Sequence, residues 1–161
     1  MLAAGVFFWQ VVLAVHVAAV VVAFGVTFAY PLIALAAMKM EPRAIIFFHR
    51  LQQFLGRRLV SPGLLVVLLA GIYLAGHFHQ WGQFYVQWGI GVAIVLGGIE
   101  GAFMIPTAGK LADLAERDLG AGEGKPSDEY LALRNRVAAA GAVMSGLVLI
   151  TVYVMTVNAV T

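Results

Sequence analysis

Two ionisable side chains lie inside long apolar runs of the sequence and are the first candidates for chemistry. His16 lies in an uncharged run from Met1 to Met38, and Glu100 lies among glycines in a run from about Gly82 to Ile105. If such runs cross a bilayer, an ionisable group near the middle costs about 3 kcal/mol by the lower estimates and usually faces the interior of the protein. Both residues are therefore candidates for function.

Two interpretations of His16 are open. It forms a hydrogen bond with a neighbouring Thr, Asn or backbone carbonyl, or it is an axial ligand of haem or a metal ligand, a role that suits imidazole. His77 and His79 follow another apolar run and, two residues apart, cannot share a helical face. At most one of them joins His16. Met155 is another possible second ligand, although such methionines often only pack.

Glu100 also has two interpretations. It forms an ion pair with Arg57 or Arg58 that locks two helices together, or it is a proton relay or cation site. No second acidic residue and no lysine lies within an apolar run, which argues against a dedicated proton wire.

The chain has no cysteine, which excludes disulfides and thiolate sites, and no nucleotide-binding motif, which disfavours pumped transport.

Four membrane-spanning helices are needed to position these residues. Hydrophobic residues make up 62% of the chain and charged residues 11%, against roughly a quarter in soluble domains. Apolar runs at about 6–38, 59–76, 82–105 and 137–160 can each cross a hydrocarbon core of about 30 Å as helices. Continuous helices satisfy the backbone in lipid, and the runs lack the alternation of barrel strands. We predict one all-α domain over 1–161, an integral membrane four-helix bundle.

The basic residues predict the orientation of this bundle. All ten Lys and Arg residues fall within 39–58 and 110–136, five in each, whereas both termini and the turn at 77–82 have none. The positive-inside rule places the two basic connections in the cytoplasm and both termini outward, in a bacterial cytoplasmic (inner) membrane. Because these cations flank apolar runs and alternate with acidic residues, they indicate lipid and not nucleic acid as the partner.

Both basic connections carry amphipathic helical patterns. The stretches 44–58 and 107–119 should continue the adjoining spans as interfacial or cytoplasmic extensions, with His49 solvated or in contact with lipid headgroups. Glycines at 120, 122 and 124 and Pro126 should end the second extension. Ser127, followed by Asp128 and Glu129, should then cap the fourth helix.

Two further patterns concern packing. Phe28-Ala-Tyr-Pro31 echoes Phe103-Met-Ile-Pro106, and a basic pair precedes each return span, which is compatible with two parallel αα-hairpin repeats. Glycine and alanine at every fourth position, as in Gly97-x-x-x-Gly101, favour close helix association. These faces would serve a tight bundle, a homo-oligomer or a larger membrane complex.

The layout resembles small bacterial multi-span proteins that include the HemJ-type protoporphyrinogen oxidases, the copper-resistance D proteins and a related membrane family of unknown function. The resemblance covers Val12 to Ala75 and is closest to the last of these. It rests on the following residues: His16, Gly25, Pro31, Arg57, Arg58, Pro62 and Gly71. Unlike the oxidases, this chain has a Val or Phe24 in place of a Trp before the glycine and no Arg after Pro31. The resemblance implies haem b near His16, with Arg57 or Arg58 steering an anionic porphyrin.

Three functions therefore stay open. The leading expectation is a small membrane redox component with haem b bound through His16. The alternatives are a non-catalytic accessory or assembly subunit that packs against a larger membrane complex, and a transporter of small molecules or metal ions. The scarcity of charge within the apolar runs disfavours the transporter.

Overall fold

The structure is a computed structural model that describes residues 7–119 and 124–158. This part of the chain forms four helices: α1 (Phe8–Ala37), α2 (Pro42–His77), α3 (Phe84–Leu119) and α4 (Asp128–Asn158). Each is long and apolar enough to span a membrane. The all-α, four-helix prediction is confirmed, whereas the hairpin repeat stays a prediction. Span residues 6, 159 and 160 and the predicted helix breakers at 120 and 122 lie outside the described residues.

α2 and α3 extend far beyond their predicted spans of 59–76 and 82–105. Each has 36 residues and is about 54 Å long, well over the roughly 30 Å of a hydrocarbon core. The two extensions, Pro42–Leu55 and Ile105–Leu119, pack against each other. We call the end of the bundle that carries these extensions and the basic residues the charged end, and the opposite end the apolar end.

Both long helices change hydrogen-bonding register where the apolar part meets the extension. Gly56–Val60 in α2 and Glu100–Met104 in α3 are π-helical, so that the backbone bonds there join residues five apart and not four. The two segments contact each other. The apolar pattern of the sequence does not predict them.

Ser127 begins α4 as the sequence predicts. Its Oγ accepts a hydrogen bond from the backbone N–H of Tyr130 at 3.3 Å, which satisfies one of the free donors of the first turn. The Asp118 carboxylate accepts bonds from the Ser127 N–H at 2.9 Å and from Arg117 Nε at 2.8 Å. These bonds, the one from Arg117 first, lower the pKa of Asp118 to about 2. The carboxylate thus ties the end of α3 to the start of α4.

α1 packs most closely on α2, at a point where neither helix carries a large side chain. A Cβ placed on Gly63 would lie only 2.6 Å from that of Ala23, which is fully buried. α1 is the most open of the four helices: 11% of the residues in its apolar 18-residue segment are buried, against 17–22% in the other three. The main core lies among α2, α3 and α4 and includes Val60, Leu64, Leu96, Leu111, Met144 and Val148.

Candidate functional sites

His16 lies in the apolar half of α1 and points towards α2. Its Nδ1 is 3.0 Å from the carbonyl oxygen of Val67, and its ring lies against Gly71, where a Cβ would come within 3.4 Å of Cε1. A carbonyl only accepts, so Nδ1 carries the proton and Nε2 keeps its lone pair. A carbonyl was one of the partners considered for His16, and this bond leaves Nε2 free to act as a base or ligand.

The other candidate ligands lie elsewhere. His77 stacks on Tyr73 and Trp9, with ring centroids 5.9 Å and 6.5 Å away, and His79 is exposed in the turn after α2 with a φ of 56°. The Met155 methyl packs against Gly89 of α3. The described part of the chain has no cluster of three or more His, Asp or Glu residues that could hold a metal ion.

Glu100 is buried at the point where the two π-helical segments meet. Its side chain is 6% exposed, and Oε1 lies so close to Gly56 that any Cβ there would be 2.7 Å away. The structure shows no hydrogen bond or ion pair between Glu100 and another described residue, and Arg57 and Arg58 are exposed. The predicted lock between Glu100 and one of these arginines is therefore not formed.

His49 is also buried, at 4% exposure, and lies on the α2 extension outside the apolar segment. Its Nε2 is 3.0 Å from the Tyr130 hydroxyl of α4. The prediction that His49 is solvated or in contact with lipid headgroups was wrong, because Tyr130 of α4 covers its ring at a centroid distance of 5.8 Å and the α3 extension packs along the α2 extension. Burial lowers the pKa of His49 to about 4; the Gln52 amide opposes this from nearby, although not in hydrogen-bond geometry.

Several buried polar atoms around these residues have no partner in the described part of the chain. They are the Tyr30 hydroxyl, Gln52 Oε1 and His49 Nδ1. Such atoms cost about 1–3 kcal/mol each when nothing pairs with them, and they call for a water, an ion or a functional role.

These side chains lie between Glu100 and the charged end. Gln52 is one helical turn from Gly56, which touches Glu100, and His49 is three residues further. Tyr30 of α1 lies within electrostatic reach of Glu100 and stacks edge-on against Phe48, at a centroid distance of 6.2 Å. We call this set the polar column: Glu100, Tyr30, Gln52, His49 and Tyr130. Along α2, the column spans about 10 Å from Gly56, where Glu100 touches this helix, to His49.

Of this column, only Glu100 is marked as a functional candidate by the sequence. The pattern His49-x-x-Gln52-x-x-x-Gly56 places three residues on one helical face and could have indicated a polar face directed inward. Tyr30 and Tyr130 gave no such signal, because their inclusion depends on how α1 and α4 pack.

A surface groove of about 610 Å³ lies along α1, but the described residues that line it all belong to that helix and do not include His16. No protein family, curated protein or solved structure matches this chain. The assignment of function therefore rests on the residues and their geometry.

Proposed function

We propose that this protein lies in the bacterial cytoplasmic membrane, with its charged end in the cytoplasm and both termini outward. Four helices of sufficient length and apolarity support the insertion. The ten Lys and Arg residues, all in the two connections at the charged end, support the orientation. Large apolar side chains such as Leu32, Ile94 and Leu149 are more than half exposed and would face lipid.

Within this membrane the protein acts as a small redox component that binds haem b through His16. The observation that carries this proposal is the 3.0 Å contact between His16 Nδ1 and the Val67 carbonyl. Imidazoles that ligate metals commonly donate their second ring N–H to a carbonyl, which orients the ring and raises the basicity of the ligating nitrogen. Bound haem would supply one-electron transfer.

The residues around His16 fit this role for one ligand. Gly71 leaves room for the imidazole beside α2, and Val67 holds its orientation. The proposal uses His16 as the single ligand, since His77 stacks on Tyr73 and Trp9, His79 lies exposed in the turn and Met155 packs against Gly89. Arg57 and Arg58, exposed at the charged end of α2, would attract the carboxylates of an anionic porphyrin.

The absorption spectrum of the detergent-purified protein, before and after addition of haemin, tests this proposal. We expect a Soret band in the wild type that is lost in His16→Ala and retained in His77→Ala, in which an exposed histidine is removed. A wild type that neither carries nor takes up haem, or a band of equal intensity in His16→Ala, would overturn the proposal.

One observation favours a second candidate, a non-catalytic subunit of a larger membrane complex or of a homo-oligomer. α1 is the most open helix, and Ala14, Ala18 and Gly25 form an outward face of small residues on it, with nothing in the described part of the chain within 4 Å of a Cβ at Gly25. Such faces let helices approach closely. Purification in mild detergent distinguishes the two: a colourless protein that co-purifies with larger subunits supports this candidate, and a haem-loaded single chain contradicts it.

A further inference from the structure

We propose that the polar column is a proton-binding site, in which the Glu100 carboxyl takes up and releases a proton through the charged end. This site shares no residue with the haem proposal and stands or falls separately. The reaction is a simple protonation: a proton binds one carboxylate oxygen of Glu100 and leaves by the same column.

The surroundings of Glu100 favour a proton as its counter-charge. A buried carboxylate without a partner is strongly disfavoured, and a proton removes the charge without needing space. The groups that face it are few: Tyr30 from α1 is coupled to it electrostatically, while Arg57 and Arg58 of α2 turn outward. On α4, Arg134 acts electrostatically on His49 and Tyr130, further along the column.

The column supplies a route between Glu100 and the charged end. Proton transfer inside a membrane protein needs polar groups a hydrogen bond or one water apart. The unpaired Tyr30 hydroxyl, Gln52 Oε1 and His49 Nδ1 are buried acceptors or donors along this line, and waters between them would complete the chain. His49 and Tyr130, joined at 3.0 Å, form its outer end.

The two π-helical segments support a functional role for the place where Glu100 meets Gly56. Gly56 is the first residue of one segment and Glu100 the first of the other, and the two residues touch. π-Helical segments within α-helices occur frequently at functional sites. A carboxylate that only locked two helices would instead be expected to meet a cation, and none pairs with it among the described residues.

A proton fits this site better than a metal cation. Metal ions of the Mg²⁺ and Ca²⁺ type take about six or more oxygen ligands, with carboxylates prominent among them. The described residues offer one carboxylate, one amide oxygen and one phenol here, and no metal-binding cluster. We therefore take protection by a cation as a result against the proposal.

Labelling of the wild-type protein with a hydrophobic carbodiimide tests the site, because this reagent reacts with protonated carboxyls in apolar surroundings. We expect mass spectrometry to find an adduct on Glu100 that increases as the pH falls and is lost in Glu100→Gln. Glu116, whose side chain is 65% exposed and pairs with Arg50, should stay unmodified. Absence of label on Glu100 at every pH, or protection by Mg²⁺, Ca²⁺, Na⁺ or K⁺ at constant ionic strength, would overturn the proposal.

Infrared spectroscopy tests the route separately. The carbonyl band of a protonated carboxyl should be present in the wild type and absent in Glu100→Gln, and its shift in D₂O reports exchange of the proton. Gln52→Leu removes a group that would hold a water of the route, and Tyr30→Phe removes a hydroxyl. Each should slow this exchange about a hundredfold, the lower end of what a positioned proton-transfer group or water chain contributes. Gln53→Leu is the matched control, since Gln53 packs on Gly109 outside the column. Equal exchange in Gln52→Leu and Gln53→Leu would contradict the column, whether or not the protein binds haem.

Discussion

The contact between Gly63 and Ala23 predicts that the substitution Gly63→Ala destabilises the protein. The added Cβ would lie 2.6 Å from the Cβ of Ala23 and 3.5 Å from its Cα, whereas carbon atoms in good contact are about 3.5–4.0 Å apart. Neither atom is the end of a flexible side chain, so α1 must move away by roughly 1 Å. The same movement would lengthen the 3.0 Å bond between His16 and Val67 on this interface.

The size of the destabilisation expected for Gly63→Ala follows from two opposing effects. Overpacking of this kind costs about 1–3 kcal/mol. Replacing glycine by alanine inside a helix regains at most about 1 kcal/mol. We therefore expect a net loss of about 1 kcal/mol, which corresponds to a melting temperature lower by about 2–4 °C in a protein of this size.

Thermal unfolding followed by circular dichroism in detergent measures this loss, and two variants control it. Gly25→Ala adds a Cβ on α1 where no atom of another described segment lies within 4 Å, and it should be as stable as the wild type or more stable. The exchange Ala23→Gly with Gly63→Ala moves the methyl group across the interface and should restore most of the loss. If Gly63→Ala melts at or above the wild-type temperature, the described packing of α1 on α2 is incorrect.

Three further predictions concern the charged end. Loss of the helix cap in Ser127→Ala should lower the free energy of unfolding by about 1 kcal/mol in a denaturant titration, with Ser127→Thr closer to the wild type. The pKa of Asp118 is lowered from 3.8 to about 2, so the ionised carboxylate stabilises the folded protein. This stabilisation is complete above pH 3.8 and is lost as the pH falls towards 2. Asp118→Asn should remove this part of the pH dependence of unfolding. The pKa of His49 is lowered from 6.5 to about 4, so protonation of this imidazole favours the unfolded chain. The melting temperature should therefore fall as the pH drops from 6.5 towards 4, and it should fall less steeply in His49→Gln.

The four helices and their extensions could be predicted from the sequence because their signals are local. Apolar length, amphipathic periodicity and the Ser127 cap each depend on residues close together in the chain. The helix continuing from Pro42 through Leu55 into the second span, and its counterpart up to Leu119, followed from the pattern of apolar and polar residues alone.

The functional geometry could be predicted only in part. A backbone carbonyl was among the expected hydrogen-bond partners of His16. Which carbonyl it meets, that of Val67, depends on the register between α1 and α2. A π-helical segment adds one residue to a turn without changing which residues are apolar, so the contact between Gly56 and Glu100 left no trace in the sequence. The burial of His49 likewise depends on α4 and the α3 extension covering a face that appeared solvated.

The insertion of four helices, with the charged end in the cytoplasm, underlies both proposals and can be tested directly because the chain has no cysteine. Single cysteines would be introduced in Gln83→Cys at the apolar end and Lys125→Cys at the charged end, both at exposed positions. A membrane-impermeant maleimide should label the first variant in intact spheroplasts and the second only after lysis. Labelling of Lys125→Cys in intact spheroplasts, or recovery of the protein in the soluble fraction without detergent, would contradict this arrangement.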